Sequence, residues 1–174
     1  KAHKQGCGYV KKNVMVAVEK PYDIVITSNS GYPLDMNLYQ AVKGMSVAAR
    51  IVIRDGSIVV AAECRDGIPA HGEYDRLLCE AESHDSLLKK IHEKDFVRQD
   101  MWQAQVHGMI CQKADVYFYS RNLSDEQIKR AFLKPCSRVE DTLEEILHKY
   151  GRDASVCVLP EGPQTIPYIG TASH

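Results

Sequence analysis

Residues 23–50 read DIVITSNSGYPLDMNLYQAVKGMSVAAR, and this segment predicts a strand, a loop and a helix in that order. The short apolar run at residues 23–27 is typical of a buried strand. The polar, glycine- and proline-containing cluster at residues 28–33 predicts a loop. A helix is predicted from residue 35 or 37 to about residue 50, because apolar side chains recur there every three or four positions. The residues of this apolar stripe are Leu38, Val42, Met45 and Ala49.

The same alternation of strand and helix continues along the chain. Further strands are predicted at residues 57–62, 115–119 and 155–159. Helices are predicted at residues 73–82, 83–93, 99–113 and 139–150, and a short one opens at Ser124. The tail from Pro160 is predicted to be irregular. Continuous apolar strands that alternate with helices indicate a three-layer, Rossmann-like α/β domain, with a mostly parallel sheet flanked by helices.

Length and charge narrow the class of protein. The 174 residues are predicted to form a single domain, residues 1–174. The formal net charge of -1 does not favour nucleic acid as a partner. No apolar run approaches the roughly 18 residues of a membrane span. Because the sequence starts at Lys1 without a methionine or a signal pattern, we expect it to be part of a longer protein.

The cysteines and histidines do not have metal-site spacing. None of the six cysteines forms a Cys-x-x-Cys pair, which excludes zinc-ribbon and thioredoxin-like motifs. Most lie in apolar segments and are expected to stay reduced, as in the cytoplasm. The seven histidines are expected to be surface or capping residues, so no metal ligand is predicted.

Three loops are predicted at the carboxyl ends of strands, where open parallel sheets bind ligands. They are residues 28–33, residues 63–69, and the loop after Tyr119 with Ser120, Arg121 and Asn122. No G-x-G-x-x-G follows the first predicted strand, so ordinary dinucleotide binding is not supported. Cys64, Arg65 and Asp66 receive no catalytic role, because an Asp-Gly turn explains that loop.

Gln40 and Lys43 are the candidate binding residues of the first predicted helix. Three positions apart, they are neighbours on the helix surface, nearly opposite the apolar stripe. An amide beside an ammonium near a helix N-terminus suits an anionic ligand. The alternative is a solvated pair on an exposed face, and spacing alone favours that alternative.

Three segments resemble a known family. They are TSNSGYPLDMNLYQAVKGM at residues 27–45, AAECRDG at residues 61–67 and ASVCVLPEGPQTIPY at residues 154–168. Together they are similar to the C-terminal domain of the nickel-pincer-nucleotide-dependent lactate racemase family, which racemises 2-hydroxy acids.

The resemblance implies roles for four residues. Gln40 and Lys43 would hold the carboxylate or hydroxyl oxygen of a small 2-hydroxy acid substrate, with Tyr39 beside them. Trp102 would line the pocket and exclude water. The alternative for Trp102 is a helix residue packed in the core, and both interpretations stay open at this point.

The resemblance also implies a nickel pincer nucleotide, a modified nicotinate mononucleotide with sulfur ligands to nickel, and racemisation by hydride transfer. The family's cofactor-attaching lysine, nickel-binding histidine and acid–base histidines belong to its N-terminal domain, and no segment here matches them. We therefore expect no catalytic residue and no cofactor in this chain. It would act with the missing N-terminal domain and be inactive alone.

Two alternatives remain. The first is a non-catalytic Rossmann-like module that binds a small anion or a partner protein. The second is a racemase or epimerase of another 2-hydroxy acid. A preceding domain with a lysine and spaced histidines would favour a racemase over the binding module.

Overall fold

The computed structural model describes residues 1–170, which form seven helices, seven strands and one short 3-10 helix. The strands are β1 Met15–Val18, β2 Tyr22–Ser28, β3 Val52–Ala61, β4 Ala114–Tyr119, β5 Lys134–Pro135, β6 Val156–Leu159 and β7 Ile166–Ile169. The helices are α1 Ala2–Val14, α2 Leu38–Ala48, α3 Tyr74–Cys79, α4 His84–Ile91, α5 Met101–Lys113, α6 Asp125–Arg130 and α7 Val139–Tyr150, with the 3-10 turn at Gly162–Gln164.

Five strands form the central sheet in the order β5-β4-β3-β2-β6, and every neighbouring pair is parallel. The chain builds the sheet outward from β2 to β5 and then returns to place β6 on the other side of β2. The order therefore reverses between β2 and β6, which is where open α/β sheets commonly bind ligands.

Both faces of the sheet carry helices, as the sequence predicts. The larger core contains Val25, Val60 and Phe118 from the strands, packed with residues of α2, α3, α4 and α5. The smaller core contains Ile24 and Val59, packed against α7. Because successive side chains of a strand point to opposite faces, the apolar runs fill both cores. The three-layer α/β prediction is confirmed.

The prediction of an irregular tail from Pro160 is wrong. β7 pairs in parallel with β1 to form a separate two-stranded sheet. Residues 166–169 form a strand because they pair with β1, which lies about 150 positions earlier in the chain. β3 also begins five residues before the predicted strand, because the polar residues Arg54 and Asp55 interrupt its apolar pattern.

In the part of the chain that is described, no helix is long and apolar enough to cross a membrane. All six cysteines are free thiols.

Candidate functional site

The site is built on the first turns of α2, which the two preceding loops hold in place. The Asn37 side chain caps the helix, with its Oδ1 accepting a hydrogen bond of 3.0 Å from the Gln40 N–H. The Leu38 N–H donates to the carbonyl of Gly67 at 3.0 Å, in the loop after β3. These bonds satisfy N–H groups that a helix start leaves unpaired.

Asn29 ties the end of β2 to the turn of α2 that carries the candidate residues. This side chain is fully buried. Its Nδ2 donates to the carbonyls of Leu34 and, at 3.2 Å, Gln40, and its Oδ1 accepts from the Gly44 N–H at 2.9 Å. The Gln40 carbonyl and the Gly44 N–H lie one helical turn apart. One amide therefore bonds to both ends of the turn that contains Lys43.

Gly44 makes this close approach possible. A Cβ atom at this position would lie 2.9 Å from Asn29 Oδ1 and 3.0 Å from the Ser28 carbonyl oxygen. Such contacts are too short for a side chain, so a glycine is required where α2 crosses the end of β2.

Gln40 and Lys43 lie on the outer surface of α2. Lys43 is exposed and Gln40 is half-buried, whereas Leu38, Val42 and Met45 of the apolar stripe are buried. Lys43 Nζ donates to Gln40 Oε1 at 2.6 Å. Since the amide oxygen is engaged, the pair has N–H donors left to offer, and these suit an anionic oxygen.

Tyr39 and Trp102 form an aromatic pair beside the start of α2. Their ring centroids are 6.2 Å apart in an edge-to-face arrangement. Trp102 is 56% exposed, so the alternative that it packs in the core is wrong. Tyr39 lies four positions before Lys43, on the same side of α2. The structure thus brings two aromatic rings, an amide and an ammonium along one side of the helix start.

Tyr39 packs against a buried, hydrogen-bonded pair of residues, Tyr74 and His107. The Tyr39 ring packs edge-to-face on Tyr74, with centroids 5.3 Å apart. Tyr74 Oη lies 2.7 Å from His107 Nδ1, and His107 Nε2 lies 2.7 Å from the Ala131 carbonyl oxygen. A carbonyl only accepts, so Nε2 carries the proton and Nδ1 accepts from Tyr74.

The expectation of a surface or capping histidine is wrong for His107, which is fully buried. Burial lowers its pKa to about 4 and keeps the ring neutral.

Burial also raises the pKa of Tyr39, and the nearby Asp100 carboxylate adds to that effect.

The loops after β2, β3 and β4 meet, as predicted, around a cavity of about 220 Å³. Its charged groups pair with each other. Arg121 bonds Glu63 and holds the pKa of that carboxyl below its usual value. Asn122 also donates to Glu63, and Asp35 accepts from the Glu63 N–H at 3.0 Å. The sequence predicts Arg121 and Asn122 in a strand-end loop, but no pattern in it identifies Glu63 as their partner.

Within residues 1–170, no group of three or more His, Cys, Asp or Glu side chains is placed to hold a metal ion. Burial raises the pKa of the Cys64 and Cys111 thiols to about 12, which keeps them protonated at neutral pH. A metal cofactor therefore finds no ligand cluster among the described residues.

Comparison with known proteins points to one family. The family model described as the lactate racemase C-terminal domain matches residues 17–166. Lactate racemase of Thermoanaerobacterium thermosaccharolyticum is 35% identical over 168 residues, which are 95% of this chain and 39% of that protein. Lactate racemase of Lactiplantibacillus plantarum is 33% identical over 163 residues, 92% of this chain and 38% of that protein.

Comparison with solved structures points to the same family. The structure of the lactate racemase apoprotein from T. thermosaccharolyticum matches with a TM-score of 0.88 and 34% identity, covering 96% of this chain and 40% of that one. A protein from Thermotoga maritima matches with a TM-score of 0.61 at 12% identity, which shows a shared fold alone. The chain spans about two fifths of the length of the curated relatives it matches.

Proposed function

The chain belongs to the lactate racemase C-terminal domain family, and we propose that it is one domain of a longer protein, to which it supplies the substrate-binding residues of an interdomain racemase site. An N-terminal domain would form the opposite wall of the pocket. The relatives extend well beyond the matched region, which supports such a division. The six free thiols fit a reducing compartment such as the cytoplasm.

Four residues would bind a small 2-hydroxy acid. Lys43 would stabilise negative charge on the substrate carboxylate or on the oxygen at C2 as that carbon becomes planar. Gln40 would donate a hydrogen bond that sets the orientation of the substrate. Tyr39 and Trp102 would provide an aromatic wall that keeps water away from the reacting carbon. The chain would bind and orient the substrate and supply no acid–base group.

Hydride transfer in racemases of this type would require the nickel pincer nucleotide that the family resemblance implies. No segment of this sequence matches the lysine and histidine motifs that, by the resemblance, hold the group. We infer that the N-terminal domain holds it, together with the histidines that move protons. The 174-residue chain alone would then be inactive.

The observation that carries the proposal is the Lys43–Gln40 pair on a rigidly anchored helix turn. Nζ and Oε1 lie 2.6 Å apart at the surface, while the buried Asn29 side chain holds the backbone beneath them. Fixed donors stabilise a developing charge better than mobile ones, because little reorganisation is needed when the charge forms.

The test is lactate racemisation by the full-length, cofactor-loaded protein. Lys43→Ala is expected to lower kcat/KM by about 100-fold or more, the usual effect of removing one charge-stabilising donor. Lys89→Ala is the matched control, because Lys89 is an equally exposed lysine on α4. Equal rates in the two variants would contradict the proposed role of Lys43. Turnover of a different 2-hydroxy acid, with none of lactate, would correct the substrate.

A further inference from the structure

The two-stranded sheet of β1 and β7 is incomplete as it stands. Its strands pair from Met15 with Ile166 to Val18 with Ile169, apart from the central sheet. Parallel sheets are normally buried on both faces, and two strands alone are marginally stable in water. The preceding helix α1 has no buried residue at all. The 13-residue helix thus lies uncovered, and Val16 and Ile169 of the two strands are exposed.

The two outer edges of this small sheet differ. The Gly170 N–H donates to the Val18 carbonyl at 3.0 Å, so the backbone groups of Val18 face β7. Backbone direction alternates along a strand, and the N–H and C=O of Ala17 therefore point to the free edge of β1. On β7 the outward position opposite Val16 is Pro167, which has no N–H. β1 has the edge that can accept another strand.

An apolar groove lies between α1 and the start of the two strands. It has a volume of about 440 Å³ and is lined mainly by small and apolar groups. The lining residues include Gly6, Cys7, Val10, Met15 and Ile166. Tyr9 and Val16, which are 70% and 49% exposed, add apolar surface elsewhere on α1 and β1. Exposed apolar surface of this kind marks an interaction site.

The limits of the family match support a segment of the same polypeptide as the occupant of this groove and edge. The C-terminal domain model covers residues 17–166, so its limits cut through β1 and β7 and leave α1 outside. The elements without cover are those at the domain boundary. Residues 1–20 also carry five lysines against one glutamate, which favours an acidic rim on whatever covers them.

We propose that a β-strand from the N-terminal part of the same polypeptide adds to the free edge of β1, and that the same part covers the apolar groove beside α1. This rests on the proposed function, in which the chain is the C-terminal domain of a longer racemase. The sheet then runs across the domain boundary through β1, and backbone hydrogen bonds join the two halves.

Residue-resolved hydrogen exchange on the full-length protein tests the added strand. The Ala17 amide has no partner in the β1–β7 ladder, so only an added strand would protect it. Its exchange is expected to be slower than in an unstructured peptide by about 100-fold or more. Exchange at the unstructured rate would overturn the proposal.

A pair of proline variants gives a second measurement. Ala17→Pro removes an outward N–H from β1, and Ile169→Pro removes one from β7, while both leave the β1–β7 hydrogen bonds in place. Only Ala17→Pro is expected to lower the unfolding temperature of the full-length protein, by about 2–4 °C. Equal shifts in both variants would refute a strand added at β1. Neither measurement depends on turnover, so their outcome is separate from that of Lys43→Ala.

Discussion

Lowering the pH from 7 to 4.5 is expected to destabilise the fold through His107. The ring is fully buried and neutral, with a pKa of about 4 against an ordinary value of 6.5. At pH values between 4 and 6.5, His107 binds a proton in the unfolded chain but not in the folded chain. The stabilisation is therefore complete above pH 6.5 and is lost as the pH falls towards 4. Its full size is about 3 kcal/mol, of which about 2 kcal/mol is lost by pH 4.5.

The assay is urea unfolding at several pH values between 7 and 4.5, on the natural sequence and on His107→Gln. A glutamine amide can still donate to the Ala131 carbonyl and accept from Tyr74, but it does not titrate. We expect the free energy of unfolding to fall less in the variant, by about 2 kcal/mol over this range. Carboxylates with lowered pKa values, such as Glu63, lose their contribution at lower pH in both proteins alike. Parallel stability curves would refute the assignment of this pH dependence to His107.

Three further outcomes follow from burial and hydrogen bonding. Asn29→Ala should lower the free energy of unfolding by about 2–3 kcal/mol in urea, because it leaves the buried Gly44 N–H without its side-chain acceptor. Phe118→Ala should cost about 3–5 kcal/mol in the same assay, whereas Val97→Ala, at an 85% exposed position, should change stability by less than about 0.5 kcal/mol. Iodoacetamide at pH 8 should label the exposed Cys7 well before the buried Cys64, whose thiol has a pKa of about 12, as followed by mass spectrometry.

The central sheet is the part of the fold that sequence patterns predict well. β2, β4 and β6 lie within one residue of the predicted strands, because strands buried on both faces are continuous apolar runs. β5 has only two residues, and β1 and β7 pair only with each other, apart from the central sheet. Their pairing depends on segments distant in the chain, so tertiary structure decides whether they form strands.

The candidate site likewise contains residues whose placement the sequence predicts and residues whose burial it does not predict. The helical period places Gln40 and Lys43 on the outer face of α2, and the structure agrees. Asn29 and His107 carry no comparable signal. An asparagine in a turn cluster and a histidine in a helix are usually exposed, and here only three-dimensional packing provides the partners that allow their burial.

The position of β6 beside β2 has a consequence for synthesis on the ribosome. The strand that pairs with this side of β2 is translated about 130 residues later. Ser155, whose N–H and hydroxyl donate to the Asp23 carboxylate, is translated equally late. At ordinary elongation rates the delay is about 10 s. During that time one side of an apolar strand stays open on the nascent polypeptide, as a binding site for chaperones or for another unfinished copy.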